Sequence, residues 1–240
     1  QEENIDILIT LDDFQQIERA AVLTSKKLDI PTLFLLNTSM NIYKDGLRNW
    51  EVFMIKRIFA DKFAVSGKMS YDLSLEHNVD PKKLEITGNS RYDDLFKQND
   101  FSGNDTILVA LSGLPSTAWS SFFSIPFIKN YEQMISEVFS SLSKYNKKVI
   151  VKRHPTQDEV INVQLLTNKF LPNATVFKNS NSYALIKNAD VVINFGSSIA
   201  FEGLRQGKPV INPLYLHNNR TFFDYSGVVF DAGGETETLE

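Results

Sequence analysis

The stretch "NADVVINFGSSIAFEGLRQGKPVINP", residues 188–213, decides the fold. Its first part, "DVVINFG" (190–196), is a short apolar run of the kind found in strands buried on both faces. Gly196, Ser197 and Ser198 break that run, and "SSIAFEGLRQG" (197–207) follows with helical spacing. Gly207 and Pro209 stop the helix, and "KPVINP" (208–213) resumes as a strand. Strand, turn, helix and strand in such a short span make a βαβ unit, whose two strands lie parallel.

Working outward, the same alternation recurs. Upstream, "TILVALSG" (106–113) and "KVIVKRHP" (148–155) read as strands, separated by "FIKNYEQMISEVFSSLSKY" (127–145), a strongly periodic helix. A helix over 157–171, a strand at 174–178 and a helix at 182–189 lead into the opening stretch. "GVVFDAG" (227–233) adds a last strand, so the second series has about six.

A separate series precedes it. Strands are predicted at 5–11, 30–38 and 62–67 and within 82–96, with helices at 13–29, 48–60 and 68–78. In the first helix Ile17, Ala20, Ala21, Leu23 and Leu28 supply the apolar positions. "KQNDFSGND" (97–105) is polar and without periodicity, and reads as a linker. The expectation is therefore an α/β protein of two Rossmann-like parallel-sheet domains, at residues 1–98 and 104–240, with the first lacking its early strands. The chain opens without methionine almost directly in a strand and stops at what looks like a helix start, so it reads as a piece of something longer.

Composition narrows the function. The 240 residues carry no cysteine, which removes disulfides and thiolate metal sites. A net charge of −4 argues against a general nucleic-acid binder. No apolar run reaches the ~18 residues of a membrane span. His77 and His217 have no metal-ligand spacing with another His or acid, and no Walker, dinucleotide or nucleophile-elbow motif is present.

In parallel sheets ligands bind beyond the carboxyl ends of the strands, so the residues just after each strand carry the weight. In "VIVKRHPTQDE" (149–159), the strand runs into Lys152, Arg153, His154 and Pro155. These are either a plain strand exit, stopped by Pro155 and flanked by solvated cations, or an anion site with His154 held beside the sheet edge. Gly196, Ser197 and Ser198 are either an ordinary turn or, ahead of a helix, a set of N–H and hydroxyl donors for phosphate. Glu202 favours the first turns of that helix. Asp12 and Asp13 follow the first strand; Asp13 is a candidate general base or simply an N-cap.

In combination these segments resemble sugar-nucleotide glycosyltransferases of the two-Rossmann GT-B fold. "VIVKRHP" and residues 188–213 resemble their C-terminal domain, and "FAVSGKMSYDLSLEHNVDPKKLEITGNSRYDDLF" (63–96) the end of their N-terminal domain. A His-Pro motif with a later Ser-Ser motif is similar to transferases using CMP-activated sugars, and to CDP-glycerol phosphotransferases. The resemblance implies that His154, Pro155, Ser197 and Ser198 meet a cytidine nucleotide, and that Glu202 grips the donor's ribose or sugar; Arg153 and Gly196, next to these motifs, are further candidate nucleotide-binding residues. It implies His154 and Asp13 as catalytic residues, although "DDF" (12–14) lacks the glycine of the acidic motif in some sialyltransferases. It implies no metal or cofactor, a nucleotide-activated donor, a surface glycan or glycolipid acceptor, and a cytoplasmic protein that can work at the inner face of the membrane. The alternatives are a UDP-N-acetylglucosamine 2-epimerase-like enzyme, whose Ser-Gly-Gly turn is replaced here by "GSSIAFEG", and a non-catalytic nucleotide-binding module.

Overall fold

The computed structural model describes residues 4–11, 13, 15–36, 58–90, 93, 104–111, 131–154, 162–195, 197–213 and 230–231. These form two compact units, one ending at Asp93 and the other beginning at Asn104.

In the first unit, strands β1 (Leu8–Thr10), β2 (Thr32–Leu35), β3 (Lys62–Val65) and β4 (Leu84–Ile86) form a parallel sheet in sequential order. Helices α1 (Gln16–Lys27) and α2 (Lys68–Glu76) connect them. Always stepping the same way with right-handed crossovers puts the connecting helices on one face. There Val22 of α1 and Tyr71 and Leu73 of α2 pack on Phe34, Phe63, Val65 and Leu84. Phe34 and Phe63, paired in register, stack with centroids 4.5 Å apart. The other face exposes Ile7, Ile9 and Leu11. Helix α1 does not bury the face its spacing predicts: Ile17 is 80% exposed, and the fully buried residue is Val22. The predicted helix at 48–60 lies largely outside the described residues.

The second unit carries the apolar segments of the opening stretch. Its strands are β5 (Thr106–Ala110), β6 (Lys148–Lys152), β7 (Thr175–Phe177), β8 (Val191–Asn194), β9 (Val210–Asn212) and β10 (Phe230–Asp231). All neighbours pair parallel, in the order β10-β9-β8-β5-β6-β7. The chain steps outward from β5 to β7, then returns to the far side of β5 and steps outward again. This reversal places the helices on opposite faces. Helices α3 (Tyr131–Leu142) and α4 (Val163–Phe170) share a core with Val109, Val149, Val151 and Ile193. Helices α5 (Ser182–Lys187) and α6 (Ile199–Arg205) share the other with Leu108, Ile150, Val192 and Val210. Alternation along each strand feeds both cores, which is why these strands read as continuous apolar runs.

The strand starts are tied in the same way in each unit. Asp190, just before β8, accepts from the backbone N–H groups of Asn104 and Thr106 at the start of β5. Asp61, just before β3, accepts from the N–H and hydroxyl of Thr32 at the start of β2 and from Lys26. The Thr106 amide holds the Asp190 carboxyl below its ordinary pKa, and the Lys26 ammonium does the same for Asp61. A carboxylate whose pKa is lower when folded stabilises the fold above its unfolded value, about 3.9, and loses that contribution as pH falls through the folded value. Asp190→Asn and Asp61→Asn are therefore expected to unfold at lower urea concentration than the parent at pH 7. The gap should close as pH falls through the lowered folded-state pKa of each carboxylate, beyond which both chains carry the neutral side chain.

Candidate functional site

Register pairing lines up the carboxyl ends of the second sheet. Ala110 at the end of β5 pairs with Lys152 of β6 on one side and Asn194 of β8 on the other. Asn212 of β9 lies beside Asn194, since Ile193 pairs with Ile211 one step earlier. Partners in parallel register point to the same face. Asn212, Asn194, Ala110 and Lys152 thus form one row, on the α5 and α6 side, directly above the apolar row of Val210, Val192, Leu108 and Ile150. Three of the four are polar and all are buried: Asn194 and Asn212 are fully inaccessible, and Lys152 is 6% exposed. In the strands read from sequence at 148–155, 190–196 and 208–213 these polar residues stand inside the run, with nothing to set them at one level. Their alignment into one row comes from the register.

Each member is satisfied in a specific way. Asn194 Nδ2 donates to Asn212 Oδ1 at 3.1 Å, and Asn194 Oδ1 accepts from the Ser197 N–H at 3.0 Å. Lys152 Nζ donates to the carbonyls of Arg153 and Lys178, both at 3.2 Å, which closes β6 against the loop after β7. Burial lowers the Lys152 pKa, and the Glu202 carboxylate opposes that shift. Glu202, 6% exposed on α6, accepts from the Ser182 hydroxyl at the start of α5 at 2.5 Å. A buried carboxylate needs such a partner, so Ser182 fixes where Glu202 points.

The sequence-predicted residues fall as follows. His154 follows β6 and is half-buried. Burial, then the neighbouring Lys152 charge, lowers its pKa, so near neutral pH it is an uncharged imidazole. A neutral ring still donates one hydrogen bond. Arg153 donates its backbone N–H to Phe177, and its Nε is buried with no acceptor among the described residues. The Ser180 hydroxyl, in the loop after β7, is in the same condition. Ser197 is buried and its Oγ accepts from the Ile199 N–H at 3.3 Å, so this hydroxyl serves the turn itself. Ser198 is partly exposed. Pro155, Gly196 and His217 lie outside the described residues.

Asp13, the candidate base or N-cap, follows β1. It is 1% exposed, and its Oδ2 accepts from the N–H groups of Phe59 at 2.5 Å and Ala60 at 3.0 Å. This carboxylate fastens the backbone ahead of β3, which gives Asp13 a structural role.

One residue that motif reading passed over sets the height of α6 above the sheet. A Cβ on Gly203 would stand 3.1 Å from Val210 Cγ2 and 3.4 Å from Val192 Cγ2. Both valines are stiff at χ1 and cannot turn aside cheaply. Gly203→Val is expected to lift α6 from the sheet and to cost about 2 kcal/mol, read as a lower urea midpoint.

No protein-family model matches this sequence, and no curated protein matches it at a significant level. Solved structures do match. A UDP-GlcNAc 2-epimerase from Neisseria meningitidis bound to UDP-GlcNAc superposes with TM-score 0.61 at 15% identity, over 98% of this chain and 66% of that one. The MnaA–UDP structure from S. aureus gives 0.59 at 12%, over 97% and 63%. A UDP-GlcNAc 2-epimerase from Methanocaldococcus jannaschii gives 0.58 at 13%, over 98% and 68%. The likeness establishes the fold, an α/β chain with two Rossmann-like parallel sheets of the GT-B kind. This chain spans 55–68% of the length of the UDP-GlcNAc 2-epimerase and MnaA structures it matches. Among the described residues no helix is long and apolar enough to cross a membrane.

Proposed function

We propose that this chain belongs to a nucleotide-sugar enzyme, a metal-independent glycosyltransferase that moves a sugar or glycerol phosphate from a nucleotide-activated donor to a glycan acceptor. The observation that carries the reading is the polar rim at the carboxyl edge of the second sheet. There His154, the buried Arg153 Nε and the Ser180 hydroxyl lie after β6 and β7, and Ser197, Ser198 and Glu202 lie after β8. Buried donors without partners are rare in folded proteins and call for an explanation, for which an anionic ligand is one. In this reading Arg153 and the neutral His154 donate to the phosphate that carries the leaving charge, as electrostatic stabilisation. Ser197 and Ser198 serve the same group, and Glu202 accepts from the ribose. The His-Pro and Ser-Ser pairing supports a cytidine nucleotide. The three fold neighbours favour a second reading, a UDP-sugar epimerase.

Thermal unfolding with CMP, CDP, UMP and UDP tests the site. A nucleotide present at about 100 times its Kd adds about 2.7 kcal/mol, a rise of roughly 5–10 °C for a chain of this size. His154→Ala is expected to remove that rise while leaving the unliganded Tm within about 2 °C. No rise with any of the four nucleotides would sink the nucleotide reading. A rise with UDP alone, together with epimerised UDP-N-acetylglucosamine, would replace the transferase by the epimerase.

A further inference from the structure

The Asn194–Asn212 pair does more than fill its strands. Ser197 N–H needs an acceptor, so the oxygen of the Asn194 amide must face the turn. That leaves the Asn194 NH2 group facing β9, where only an acceptor can satisfy it, and Asn212 Oδ1 supplies one. The chain of dependence runs from Asn212 through Asn194 to the Ser197 backbone, and from Ser197 Oγ to the Ile199 N–H. Every link is buried, so no water offers a cheap substitute. Register explains why the two amides meet: they end adjacent strands at the same level.

We propose that Asn194 and Asn212 are a positioning pair. Their interlocked amides set the backbone at Ser197 and Ser198, ahead of α6, and the hold of these residues on a nucleotide's phosphates depends on that setting. Neither residue touches the ligand. The second half of the inference rests on the nucleotide reading above; the first half does not. The pair also ties the turn after β8 to the end of β9, so a change at Asn212, on a different strand, is felt at Ser197.

Asn212→Leu removes the acceptor at nearly constant volume, and Asn212→Asp keeps an oxygen in the same place. Two measurements on each variant decide the matter. By NMR, amide exchange at Ser197 and Ile199 is expected to quicken at least tenfold in Asn212→Leu, with Val192 and Ile193 unchanged, and to return toward the parent rate in Asn212→Asp. By calorimetry, Asn212→Leu is expected to weaken UDP or CDP about tenfold and to leave the matching nucleoside within about twofold. Unchanged exchange at Ser197, or a uniform quickening across β8, overturns the positioning pair. Equal loss of nucleoside and nucleotide overturns its role toward phosphate. A parent protein that binds no nucleotide overturns the proposed function instead, and the exchange rates alone then decide the pair.

Discussion

Glu202→Gln is expected to weaken nucleoside diphosphate binding by tens of fold while leaving the fold almost as stable as the parent. The argument begins with Ser182, whose hydroxyl donates to Glu202 Oε2. Glutamine keeps the volume and an oxygen that can accept from Ser182, so the helix pair α5 and α6 keeps its link. It loses the negative charge and turns one of the two oxygens into a donor. A hydrogen bond from a ribose hydroxyl to a carboxylate contributes about 1.5–3 kcal/mol, against about 1 for a neutral acceptor. The difference, with the misplaced NH2 group added, corresponds to roughly 10–100-fold in Kd. Calorimetric titration of both proteins with the nucleotide that gives the larger thermal shift measures it. Equal affinities would remove Glu202 from the site and leave it as a link between α5 and α6.

The second large effect is on stability. Lys152→Met is expected to cost about 3 kcal/mol, whereas Arg153→Met is expected to cost well under 1. The two cations are neighbours in sequence, but Lys152 is 6% exposed and satisfies two carbonyls, one of them on the loop after β7. Charged hydrogen bonds of this kind contribute about 1.5–3 kcal/mol each, partly offset here by the cost of burying the ammonium. Met fills the space and leaves both carbonyls without that donor. Arg153 holds its place through its backbone N–H to Phe177, which the substitution leaves intact. Urea unfolding of the two variants side by side gives the comparison. If Arg153→Met proved the more damaging, Lys152 would not be the strut between β6 and β7. The same pair separates structure from function, because Arg153→Met is expected to weaken nucleotide binding at nearly unchanged stability.

The alternation of apolar runs with 3.6-periodic segments was enough to give the class, the parallel sheets and the six strands of the second unit, because strand burial and crossover handedness are local and general. His154 and Glu202 were legible as strand-end and helix-start residues for the same reason. The structural role of Asp13 was not legible, because its partner, the backbone at Phe59 and Ala60, is far away in sequence and no local pattern announces it. Helix α1 was misread at Ile17 and Leu28, because helical spacing shows a stripe without showing which side the sheet takes.

By itself, then, the sequence determined which segments are strands and in what order they alternate with helices. Only the tertiary structure decided that Asn212, Asn194 and Lys152 stand in one buried row beneath α5 and α6, with Ala110 between the last two. That row depends on register, which is set by pairing between strands distant along the chain. A one-residue slip in any of them would turn its polar end to the opposite face.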